Sequence, residues 1–139
     1  MYSEKEHIER AELNLDFHDC LVEEFESEFY EWRSTALFYV SLHYLKGLGS
    51  KKRIDLGNSH ESIRKCCCPK SNPGARMPIT NTAWNNYHAL KIYSEEGRYD
   101  GVSDLKLHEE IMRGNYADAC QRFEDFKKYV CAQGLAILT

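Results

Sequence analysis

Residues 31–49 read EWRSTALFYVSLHYLKGLG, and the fold turns on how this stretch is read. Between residues 28 and 48, Phe29, Trp32, Ala36, Tyr39, Val40, His43 and Leu48 share one broad face at helical spacing, and ALFYV within it is apolar all round. A helix that is apolar on every side needs neighbours on every side, so the segment is expected at the centre of a helical bundle. Gly47 and Gly49, followed by the polar run GSKKRIDLGN, are expected to end it, because glycine accommodates left-handed caps.

Amphipathic segments flank this centre. Over residues 3–24, Ile8, Ala11, Leu15, His18 and Val22 recur at three- and four-residue steps between Glu, Lys and Arg, the period of a surface helix. On the other side, Ser59 has the chemistry to cap a short helix HESIRKCC, with Glu61 placed in its first turn where a carboxylate suits the helix dipole. PKSNPGARMP is the longest irregular run, so the stretch over about 66–78 is the expected mobile loop. Next, Ile79, Ala83, Tyr87, Leu90 and Ser94 form a stripe that predicts a helix to about Glu96, capped by Gly97. A last helical pattern starts near Ser103 or Asp104, is broken at Gly114, and resumes with Tyr116, Ala119, Phe123, Phe126 and Val130. With no strand alternation, the expectation is an all-α domain over residues 1–139: an antiparallel up-and-down bundle of four main helices plus a short extra one.

Composition narrows the function classes. The 139 residues are 42% hydrophobic and include nine Tyr and six Phe, which favours a packed core. A net charge of −4 gives no bulk electrostatic reason to bind nucleic acid, so any such site must be local. The opening MYSEKEHIER lacks the apolar core of a signal peptide, and no apolar run reaches the roughly 20 residues that span a bilayer. A cytoplasmic location with no membrane partner is expected. Cys20, Cys66, Cys67, Cys68, Cys120 and Cys131 lack disulfide or zinc-ligand spacing, so they read as reduced thiols, and neither a metal nor a cofactor is expected. If exposed, the triplet Cys66–Cys67–Cys68 beside Arg64, Lys65 and Lys70 would carry some thiolate character. The apolar tail GLAILT has the chemistry of a docking end.

The order of these landmarks resembles the HEPN superfamily. EWRSTALFYVSLHYLKGLG, then SHESIR, then a helix ending in YSEEGRYDG, then a closing amphipathic helix cover about residues 28–130. The resemblance implies a four- or five-helix bundle that commonly dimerises. It also implies a link to nucleotide or RNA ligands, or to a toxin–antitoxin or defence pair with a small nucleotidyltransferase as antitoxin. Non-catalytic members carry an Arg-Tyr-Asp element like Arg98, Tyr99 and Asp100, which with Ser59 would form a ligand-binding site. There the guanidinium suits a phosphate and the phenol ring suits a base.

Catalytic members resemble metal-independent ribonucleases in which an Arg is followed, after four to six intervening residues, by a His. Imidazole moves a proton near neutral pH, and guanidinium stabilises the charge on the phosphate. Arg53 and His60, with six residues between them, are the pair at that spacing, although Ile54 stands where the family prefers a polar residue. They are the candidate catalytic residues. His43, on an apolar face, is expected to be a hydrogen-bonded core or interface group and not catalytic.

Overall fold

The computed structural model describes residues 1–71, 73–99 and 105–137, the side chains at 97–99 excepted. The described residues form five helices and no strand: α1 (Glu4–Glu24), α2 (Tyr30–Lys51), α3 (His60–Cys67), α4 (Asn81–Tyr99) and α5 (Leu105–Ala132), with a 3-10 turn at Pro69–Ser71. The protein is an all-α helical bundle, as the periodicities predict. α2 packs against α1, α4 and α5, and α4 also packs against α5. Ala36, Leu37, Phe38, Val40, Tyr44, Leu45 and Leu48 are all buried, so the apolar stretch does occupy the centre. Trp32, at the near end of the expected face, is exposed.

Local chemistry explains several boundaries. Ser3 Oγ accepts the Glu6 amide at 3.1 Å while the Glu6 carboxylate accepts the Ser3 amide at 3.2 Å, a reciprocal pair that starts α1. Phe29 takes a left-handed conformation (φ 61°), so α2 starts at Tyr30 and not at Glu28. The turn before it is tied by Arg33, whose guanidinium donates to the Phe25 carbonyl. Ser59 and Ser62 form the α3 cap, Ser59 Oγ accepting the Ser62 amide at 3.0 Å. The stripe Ile79, Ala83, Tyr87, Leu90 and Ser94, which α4 carries from Ala83 on, is buried as expected.

Glycine is where expectation and structure part. Gly47 and Gly49 lie inside α2, which runs on to Lys51. A Cβ on Gly47 would stand 3.3 Å from both His7 Cβ and Leu135 Cδ1, and one on Gly49 only 2.7 Å from the Ile54 carbonyl oxygen. Both positions therefore serve close approach of neighbouring segments rather than helix termination. Likewise Gly97 lies within α4, and Gly114 within an unbroken α5 whose next residue, Asn115, donates to Glu96 Oε2 at 2.8 Å.

Two further corrections concern exposure. Cys66, Cys67 and Cys68 are buried, with 66 and 67 in α3, and the irregular run returns to them: the Met77 amide donates to the Cys66 carbonyl (2.9 Å) and the Ile79 amide to the Cys67 carbonyl (3.0 Å). All six cysteines are free thiols, and burial pushes the Cys67 thiol well above its ordinary range, the reverse of thiolate character. Nor do residues 134–137, the described part of the tail, form a free apolar end. Gly134 turns left-handed, the Leu135 amide donates to the Val130 carbonyl at 3.1 Å, and Leu135 is buried against the chain's own core.

Candidate functional site

The close approach at Gly47 sets His7 of α1 against α2. There, His7 Nδ1 and His43 Nδ1 stand 3.1 Å apart, with ring centroids 5.4 Å apart. The contact needs a proton on one Nδ1 and a lone pair on the other, so the rings adopt complementary tautomers. His7 is buried and His43 half-buried. His43 is hydrogen-bonded, as expected of a His on an apolar face.

Around the pair opens a cleft of about 330 Å3. α2 contributes Lys46 and Ser50, the segment after it contributes residues 54–58, and Tyr2 forms a wall. The wall is well held. Ser50 Oγ donates to the Tyr2 carbonyl at 2.6 Å, Arg10 donates to the Tyr2 hydroxyl at 2.7 Å and lies over its ring, and that ring meets His7 edge-on. Asp55 turns one carboxylate oxygen to the Gly57 amide at 2.9 Å, which shapes the far rim.

Electrostatics keep both rings neutral near pH 7. Burial, then His7, Lys46 and Arg10, push His43 down to about 4. Burial, then Lys46, lower His7, with Glu6 pulling the other way. Cations dominate the groups acting on the pair. Such a cleft offers an ammonium and an imidazole N–H to an anion, with the Asp55 carboxylate held on its rim. Among the described residues no three His, Cys, Asp or Glu side chains gather as a metal site.

The residues singled out by sequence lie elsewhere. Arg53 is exposed at a left-handed turn after α2 (φ 59°) and lines neither this cleft nor the one that holds His60. His60 opens α3 and lines a smaller cleft of about 120 Å3 with Glu61, Arg64, Trp84, Tyr87, His88 and Lys91. In it Arg64 is forked onto Glu61 (2.6 and 3.1 Å), Lys91 is paired with Glu95 (2.8 Å), and Trp84 stacks on His88. The Tyr87 hydroxyl is buried without a hydrogen bond. Ser59 spends its side chain on the α3 cap. Arg98 and Tyr99 close α4, but their side chains and Asp100 lie outside the described residues.

His7 and Lys46 were missed. His7 shares the stripe of Ala11 and His18, the latter bonded through Nε2 to the Tyr116 hydroxyl at 2.8 Å, so its burial was readable from spacing. Its pairing with His43 was not, because it depends on how α1 crosses α2. Comparison with protein-family models, curated proteins and solved structures returns no match for this chain.

Proposed function

We propose that the chain is a helical binding module that takes a small anion of the nucleotide class in the cleft between α1, α2 and residues 54–58. The observation that carries this reading is the convergence of Lys46, His7 and His43 on one walled cleft. Ammonium and ring N–H groups pair well with phosphate oxygens, while Tyr2 and Ile54 supply an apolar wall for a base or sugar. A volume of about 330 Å3 suits a ligand of mononucleotide size.

The reading agrees with the HEPN resemblance, which adds a homodimer and a nucleotidyltransferase-type partner to the proposal. Light scattering that finds only monomer would remove the first of these. For the cleft, calorimetric titration with adenosine 5'-monophosphate is the test. Lys46→Met should weaken binding by about tenfold or more, since a charge-assisted hydrogen bond is lost. Equal affinity in both proteins would place the ligand somewhere else.

A second reading, a metal-independent ribonuclease, has one observation in its favour: His60 shares its groove with Arg64 and His88. In it His60 is the acid or base, and the phosphate clamp falls to Arg64, because Arg53, the Arg at the family's spacing, lies outside that groove. Single-stranded RNA cut in excess EDTA by wild type and not by His60→Ala would favour it. No cleavage by either protein leaves the binding module.

A further inference from the structure

Two neutral imidazoles joined Nδ1 to Nδ1 share one bridging proton: the donor ring carries it and leaves its Nε2 bare, while the acceptor ring carries its own proton at Nε2. The pair can thus gain one positive charge and keep its contact at 3.1 Å: the added proton goes to the bare Nε2 of the donor ring, and N–H+···N remains. A second added proton would set two N–H groups against each other.

We propose that the cleft binds its anion together with one proton from solvent, taken up by the His7–His43 pair. This rests on the anion-binding reading above and gives that site its regulation. The geometry supports it in three ways. The pair lines the cleft, so an anion seated there lies beside it. Lys46 lines the same cleft, so a ligand drawn to its ammonium is placed next to the rings. The N–H+···N arrangement accepts the charge without moving α1 from α2.

Burial first, then the charged groups around the pair, set the direction. From α1 these are Glu6 and Arg10, with the amino group of Met1; from α2, Lys46; and from the segment 54–58, Asp55 on the cleft rim. In the free protein burial, then the neighbouring cations, keep the pair neutral. A bound anion cancels Lys46 and adds its own attraction, so proton and anion favour each other by the same factor. Affinity should rise as pH falls.

The test needs probes whose own charge is constant, because a phosphate monoester titrates near pH 6. Inorganic sulfate and a dinucleoside phosphate, whose single phosphodiester stays anionic, meet that need. Binding of each to the intact protein is measured by calorimetry from about pH 5.5 to 8, at each pH in two buffers of different ionisation enthalpy. The expected result is affinity that falls with rising pH, approaching about tenfold per unit, with near one proton taken up per anion. His43→Gln, which keeps a hydrogen-bonding side chain, should bind with a flatter pH profile and less proton uptake. Sulfate and diester affinity independent of pH, with no proton uptake, would overturn the proposal and leave the anion cleft standing. No binding of either probe at any pH would remove both. A pH profile unchanged in a folded His43→Gln protein would assign the proton to another group and overturn it as well.

Discussion

At the scale of single residues, His43 couples stability to pH. Its folded-state value, about 4, lies below the ordinary value of 6.5, so between these limits the unfolded chain binds more protons. Stability from this group is therefore full above about pH 6.5 and is lost as pH falls towards 4. For a half-buried ring the loss should come to about 1 kcal/mol after solvent screening. Urea unfolding at pH 7 and pH 5 checks it: the midpoint should drop, and drop less in His43→Gln. An equal midpoint at both pH values would mean that the ring is not held neutral. The cysteines yield a second residue-scale prediction. Cys20 is exposed while Cys66, Cys67 and Cys68 are buried, so brief alkylation of native protein should label Cys20 and spare the triplet until urea is added. Rapid labelling at 66–68, read by peptide mass, would contradict the packing of α3.

At the scale of elements, two glycines in helix interiors should respond in opposite senses. Gly114 has nothing within 4 Å of an added Cβ, so Gly114→Ala should stabilise α5 by about 0.5–1 kcal/mol. Gly49→Ala meets the Ile54 carbonyl oxygen at 2.7 Å and should cost about 1–3 kcal/mol. Thermal denaturation of the two variants separates them. The same residues show what could be read without coordinates. The cap of α3, the buried stripe of α4 and the central place of α2 are local or periodic properties, and the spacing of Ser59 or of Ala83, Tyr87 and Leu90 carries them directly. Gly47, Gly49 and Gly114 misled because glycine ends helices through its backbone freedom and also permits close packing through its missing side chain. Only the neighbours in space decide between the two. The burial of Cys66–Cys68 was hidden for a similar reason, since it depends on residues 77 and 79 returning to α3.

At the scale of the whole molecule, the core places the cleft. Tyr44, Leu45 and Leu48 seat α2 at the centre, Gly47 lets α1 and Leu135 approach that helix, and the His7–His43 contact is the polar end of that approach. Truncation at the centre should therefore be felt throughout: Phe126→Ala, which empties a fully buried site, should cost about 3–5 kcal/mol. Little of the candidate site was legible beforehand, because its members come from three segments and only their crossing brings them together. His60 and Arg64 stand one helical turn apart, within reach of sequence, whereas His7 and His43 are 36 residues apart. The central claim is that the paired histidines and Lys46 form one anion site, and the most direct measurement is NMR of the histidine side chains during titration with adenosine 5'-monophosphate. His7 and His43 should shift together on one saturating curve that is lost in Lys46→Met, while His88 stays still. Shifts confined to His60 and His88, or none at His7 and His43, would contradict it.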